Sequence, residues 1–79
     1  MNIEDIFKSI GQAISSAPRS DYTAELHLQV IKYADSLSDI SGKFFCDKIG
    51  IAESYKTEFV KMRKIAERLR AAGLDPEKI

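Results

Sequence analysis

The chain is poor in residues that staple or ligate. Cys46 is its only cysteine and His27 its only histidine. A lone cysteine cannot close an intrachain bridge, which excludes a disulfide scaffold and suits a reducing compartment, the cytoplasm. A structural zinc site needs about four Cys or His ligands, more than the chain supplies. Asp35, Asp39 and Asp47 do not fall at calcium-loop spacing. Gly11, Gly42, Gly50 and Gly73 are scattered and build no phosphate-cradling loop. No metal or cofactor is expected. No apolar run approaches the roughly 18–20 residues that span a bilayer. Glu4 and Asp5 stand where a signal peptide would carry positive charge. Net charge is absent as well: twelve Lys/Arg balance twelve Asp/Glu. His27 and Cys46 have no spacing that pairs a nucleophile with a base, so the chain is read as non-catalytic. Cys46 is then a small packing residue and His27 a structural one at a helix edge.

What is present is apolar periodicity. Seventy-nine residues leave room for one core, so residues 1–79 are read as a single helical domain. Ile3, Ile6, Phe7, Ile10 and Ile14 recur at three and four, the repeat of one helix face. Asn2 is the expected N-cap, with Asp5 three residues on, and Pro18 closes the segment after Ser16. Ser20 is expected to cap a second helix running to about Leu37. Its stripe is Leu26, Val30, Tyr33, Ala34 and Leu37, widened by Leu28 and Ile31; so broad a surface predicts a central helix. Ser41 is expected to cap a short third helix that buries Phe44, Phe45 and Ile49. Gly50 stops it, and Ile51 folds back onto it. A fourth helix, capped by Ser54 or a neighbour, carries Tyr55, Phe59, Met62, Ala66 and Leu69 inward, with Ile65 at the border. Gly73 and Pro76 end it. The fold class is all-α: a compact four-helix domain without internal repeats.

Neutrality conceals an asymmetry. Residues 1–40 hold three basic and six acidic side chains, a balance of −3; residues 41–79 hold nine and six, or +3. Such a split hints at a surface facing a polyanion. At about 100° per residue, Thr57, Lys61, Lys64 and Arg68 lie opposite the apolar stripe of the last helix. Lys56, Arg63 and Arg70 share a flank with Val60 and Glu67. The competing reading is an ordinary solvated face, in which Glu67 pairs with Arg63, Lys64 or Arg70 and Glu58 pairs with Lys61.

The segment from Ser41 through Phe59 resembles a helix-turn-helix. A short helix carries a small residue, Cys46, and a glycine turn with apolar neighbours follows at Ile49, Gly50 and Ile51. A second helix is then anchored by Tyr55 and Phe59. The stretch after Gly50 is longer than the simplest such turn, and Lys56 stands where an aliphatic is often buried. That leaves a loosened turn or a plain helical hairpin. Carried over by position, the resemblance puts Ser54, Lys56, Thr57 and Lys61 near the start of a recognition helix. Ser54 and Thr57 would bond phosphate or base edges, and Lys61, Lys64 and Arg68 would meet phosphates, with Arg63 doing so from the flank. Lys43 and Lys48 would clamp the backbone from the first helix of the pair. Arg, Asn and Gln, the usual base readers, are scarce, so one copy is expected to have little sequence specificity.

The resulting expectation is a small DNA-binding domain, either a transcriptional regulator or the DNA-contacting piece of a mobile-element protein, with double-stranded DNA as partner. The alternative is a helical protein-interaction module or homodimer, motivated by the aromatic inventory of so short a chain, Phe7, Tyr33, Phe44 and Phe45 included. A basic amphipathic helix also suits a membrane surface, but its apolar stripe is needed for the core, so no membrane partner is expected.

Overall fold

A computed structural model describes residues 2–79. Four α-helices appear in chain order: α1 (Ile3–Ser16), α2 (Tyr22–Lys32), α3 (Gly42–Ile49) and α4 (Lys56–Ala71). Single 3₁₀ turns lie at Arg19–Asp21, Glu53–Tyr55 and Pro76–Lys78. No strand occurs among the described residues. No helix among them is long and apolar enough to cross a membrane.

Local chemistry explains most boundaries. The Asn2 side chain accepts from the Asp5 N–H at 2.9 Å, and Ser41 Oγ accepts from the Phe44 N–H at 3.1 Å. Each satisfies one of the donors that a helix start leaves free. Gly50 adopts φ 82°, a left-handed conformation costly to any residue with a Cβ. There the N–H groups of Gly50 and Ile51 both donate to the Cys46 carbonyl, at 2.9 and 3.1 Å. The end of α4 repeats the device: Gly73 has φ 108°, and the Leu74 N–H reaches the Leu69 carbonyl at 3.0 Å.

The core joins all four helices. Ile6, Phe7, Ile10 and Ile14 of α1 meet Leu26 and Val30 of α2, Phe45 and Cys46 of α3 and Phe59 of α4. α2 packs on both α1 and α4, and α3 on both α1 and α4. Phe45 and Phe59 stack at 4.3 Å between centroids, 15° from parallel. That contact fixes α3 on α4 and is worth roughly 0.5–1.5 kcal/mol beyond its buried area.

Three expected boundaries move. α2 stops at Lys32, not Leu37, and it is led in by the Arg19–Asp21 turn with no side-chain cap from Ser20. Residues 33–39 are turns, held by short-range bonds such as Leu37 N–H to the Ala34 carbonyl. Asp35, Ser36, Ser38 and Asp39 favour turns over helix, yet Ala34 and Leu37 stay buried. α4 begins at Lys56, and Ser54 lies within the preceding 3₁₀ turn without capping it. Three side chains expected on the buried stripes are exposed, the first being Leu28, at the outer side of α2. Phe44 is 46% exposed, its ring 6.1 Å from that of Phe7, because on so short a helix Phe45 and Cys46 occupy the inward arc. Leu69 is exposed beside Ile65, and of the α4 stripe only Phe59 and Ala66 are fully buried.

Candidate nucleic-acid interface

The pair α3–α4 is connected by six residues that do two jobs. Gly50 reverses the chain, and the Glu53–Tyr55 turn carries it to the start of α4. Tyr55 leans on Tyr22 of α2, ring centroids 6.2 Å apart. Burial first, and neighbouring Tyr55 second, push the Tyr22 phenol above its ordinary value. The long stretch after Gly50 is therefore an extra 3₁₀ turn, anchored on α2 by an aromatic contact. At the other end of α3, Gly42 lies against Lys56: a Cβ built on Gly42 would come within 2.8 Å of the Lys56 Cβ and 3.1 Å of its carbonyl oxygen. The glycine permits the backbones of α3 and α4 to approach. Lys56, where an aliphatic is often buried, instead keeps its ammonium outside, 3.4 Å from Glu53 Oε1.

This approach creates a shallow concavity of about 370 Å³ bounded by Gly42, Lys43, Lys56, Thr57, Val60 and Lys61. Four residues singled out from the sequence, Lys43, Lys56, Thr57 and Lys61, thus converge on one surface. Their lysine stems, with Val60, make its walls almost wholly carbon. Lys64 and Arg68 continue the exposed face along α4. Among the described residues, Lys43, Lys61, Lys64 and Arg68 form no ion pair.

The acids that might have neutralised this ridge do not. Glu58 turns away from Lys61 to His27 of α2, whose Nε2 lies 3.2 Å from its Oε2. Glu67 pairs with none of Arg63, Lys64 or Arg70, and Arg70 is bound to Asp35.

Other expected contacts lie elsewhere. Ser54 is exposed in the turn ahead of α4. Lys48 sits on the α1 side of α3, 3.5 Å from Glu4 Oε1, with its ammonium 5.6 Å from the Phe44 ring centre. Arg63, expected to reach phosphate from the flank, points inward. Its Nη1 donates to the carbonyls of Leu37, Ser38 and Ile40 at 2.7, 3.1 and 2.8 Å, and its guanidinium lies 4.4 Å over the Phe59 ring. The reason is electrostatic: three carbonyls of the turn after α2, of which that of Leu37 also takes the Ile40 N–H, converge on one nitrogen of the cation.

Two features escaped the sequence reading. Gly42 looked like punctuation, and only the fold reveals its close approach. Val60 is an aliphatic off the buried stripe, 37% exposed among cations; its position between Lys56 and Lys64 was the available signal. Among the described residues, no group of three or more His, Cys, Asp or Glu side chains is placed to hold a metal ion.

No curated protein and no solved structure matches the chain significantly. A family profile does: that of the HTH-like domain aligns with residues 2–72, through all four helices. With its glycine-turned α3–α4 pair, the chain belongs to the HTH-like domain family.

Proposed function

We propose that the chain binds double-stranded DNA, with α4 as the element presented to the major groove and Lys43 reaching the backbone from α3. The observation that carries this reading is the unpaired, exposed face of Thr57, Lys61, Lys64 and Arg68, continuous with the lysine-rimmed concavity beside Lys43. Lysines held in this way neutralise phosphates and release counterions, which supplies affinity with modest sequence preference. A transcriptional regulator, acting in the reducing compartment that suits free Cys46, is the role such a domain fits.

The test is titration of a fluorescent random duplex pool in low salt and then in rising salt. Binding that weakens steeply with salt supports the reading. The triple variant Lys61→Glu, Lys64→Glu and Arg68→Glu should lose it while keeping its helical circular dichroism. No binding at low salt, to the pool or to the native locus, overturns it.

A homodimer reading has its own observation: Leu28 on α2 and Ile65 and Leu69 on α4 are all exposed. Two copies would place two α4 helices on two half-sites. Sedimentation at micromolar concentration tests this, and a strictly monomeric protein with and without duplex defeats it.

A further inference from the structure

Resting on the DNA reading above, we propose that Val60, with the Thr57 methyl beside it, forms a receptor for the C5-methyl group of thymine. A single exposed aliphatic is ordinary on a protein surface. Val60 differs in its setting. It is 37% exposed and lines a concavity whose other walls are the Gly42 backbone and the stems of Lys43, Lys56 and Lys61. That carbon-lined dish offers almost nothing to hydrogen-bond, and of the three lysines that line it Lys43 and Lys61 form no ion pair while Lys56 is paired with Glu53.

The two halves of this surface make different demands. The cationic rim suits a polyanion lying across it, phosphates to the lysines. The apolar floor is wasted on a phosphate, which is hydrated and charged. It suits an apolar group carried by that polyanion. In the major groove, G, C and A present donors and acceptors, and thymine alone presents a methyl group at its edge. Thr and small aliphatic side chains are the partners such a methyl accepts. The rim carries lysines, flexible point charges that suit phosphates better than a fixed fork on a base edge, so the methyl contact is the discriminating element proposed for this site.

The dish forms only because Gly42 lets α3 approach Lys56. It is therefore a feature of the α3–α4 geometry and not of α4 by itself. Its position beside the first two turns of α4 is the part of a recognition helix that meets base edges.

The experiment uses duplexes enriched by the wild-type protein from a random pool, then amplified with either thymidine or deoxyuridine triphosphate. The two products differ only in the C5-methyl group. Wild type should bind the thymine form about fourfold more tightly, the worth of one buried methyl. Val60→Ser should bind both forms alike, and Val60→Ile should keep the preference. Circular dichroism checks that both variants fold. Equal affinity of the wild type for the two forms overturns the proposal while leaving the DNA reading intact. A thymine preference that survives Val60→Ser also overturns it. Absence of binding to either form at low salt overturns the DNA reading itself. Loss of duplex competition alongside Val60-dependent binding to phosphatidylserine vesicles assigns the dish to a lipid and overturns the proposal.

Discussion

Arg63 Nη1 lies 2.7 Å from the carbonyl oxygen of Leu37, 26 residues earlier in the chain. The same nitrogen reaches Ser38 and Ile40, and the guanidinium rests on the Phe59 ring. One side chain of α4 thereby closes the turn that ends α2 and orients the helix that displays the cationic ridge. Arg63→Ala takes the side-chain donor from the Ser38 and Ile40 carbonyls, leaves that of Leu37 with the Ile40 N–H, and removes a cation–π contact. It should cost roughly 1.5–3 kcal/mol and lower the melting temperature by on the order of 10 °C. Arg63→Lys keeps the charge but not the planar guanidinium that rests on the Phe59 ring, so its loss should be smaller but clear. Thermal unfolding followed by circular dichroism decides; an unchanged midpoint for Arg63→Ala would show that the clamp contributes nothing.

Two glycines should respond to alanine with opposite signs. Gly42→Ala forces a methyl to within 2.8 Å of the Lys56 Cβ and 3.2 Å of its Cα. The helices must separate, at a cost of about 1–3 kcal/mol typical of overpacking. Gly11 lies within α1, and a Cβ there meets nothing within 4 Å. Gly11→Ala should stabilise by roughly 0.5–1 kcal/mol through helix propensity and a less flexible unfolded chain. Urea midpoints of the two variants against wild type check both signs, and a shift in the same direction for both would refute the close-approach account of Gly42.

Legibility in the sequence followed the range of the interaction. Asn2, Ser41, Gly50 and Gly73 act on backbone groups within a few residues, and each end of a helix that they govern could be read directly. The outward set on α4 was legible too, because one helical period fixes which side chains oppose Phe59 and Ala66. The end of α2 was misplaced because the apolar stripe continues through Tyr33, Ala34 and Leu37, which pack inward from turns, and the clamp of Arg63 on residues 37–40 comes from a distant helix and leaves no local signal. Phe44 and Phe45 are indistinguishable in composition, and only the position of α1 decides which ring is enclosed. The convergence of Lys43 with Lys56, Thr57 and Lys61 depends on the α3–α4 crossing, which no local pattern encodes.

The Cys46 thiol is fully buried, and burial first, with Asp47 and Glu53 adding, pushes its ionisation above the ordinary value of 9.0; Lys56 opposes this weakly. The native protein should react with Ellman's reagent only as fast as it opens, and urea should restore full reactivity. The sign of the pH effect follows. A thiol that ionises later in the folded chain contributes stability that is whole below its unfolded value and declines as pH rises past it. The stability advantage of wild type over Cys46→Ala should therefore shrink above about pH 9. Urea midpoints at neutral and alkaline pH measure it; an advantage that grows with pH would contradict the buried neutral thiol.

The ion pairs also sort cations that share a helix or a sequence neighbourhood. Lys43, Lys61, Lys64 and Arg68 are unpaired and exposed, whereas Lys48 is held beside Glu4 and Arg63 is turned into the fold. If the first four meet phosphates, each alanine replacement should reduce the slope of log affinity against log salt by about 0.9. Lys48→Ala should leave that slope unchanged. Arg63→Ala, assayed well below its melting temperature, should do the same despite its larger effect on stability. Fluorescence anisotropy across a salt series separates the groups. A slope that falls equally for Lys48→Ala and Lys61→Ala would mean that DNA is held by diffuse charge on the whole molecule, and not by the face that α4 presents.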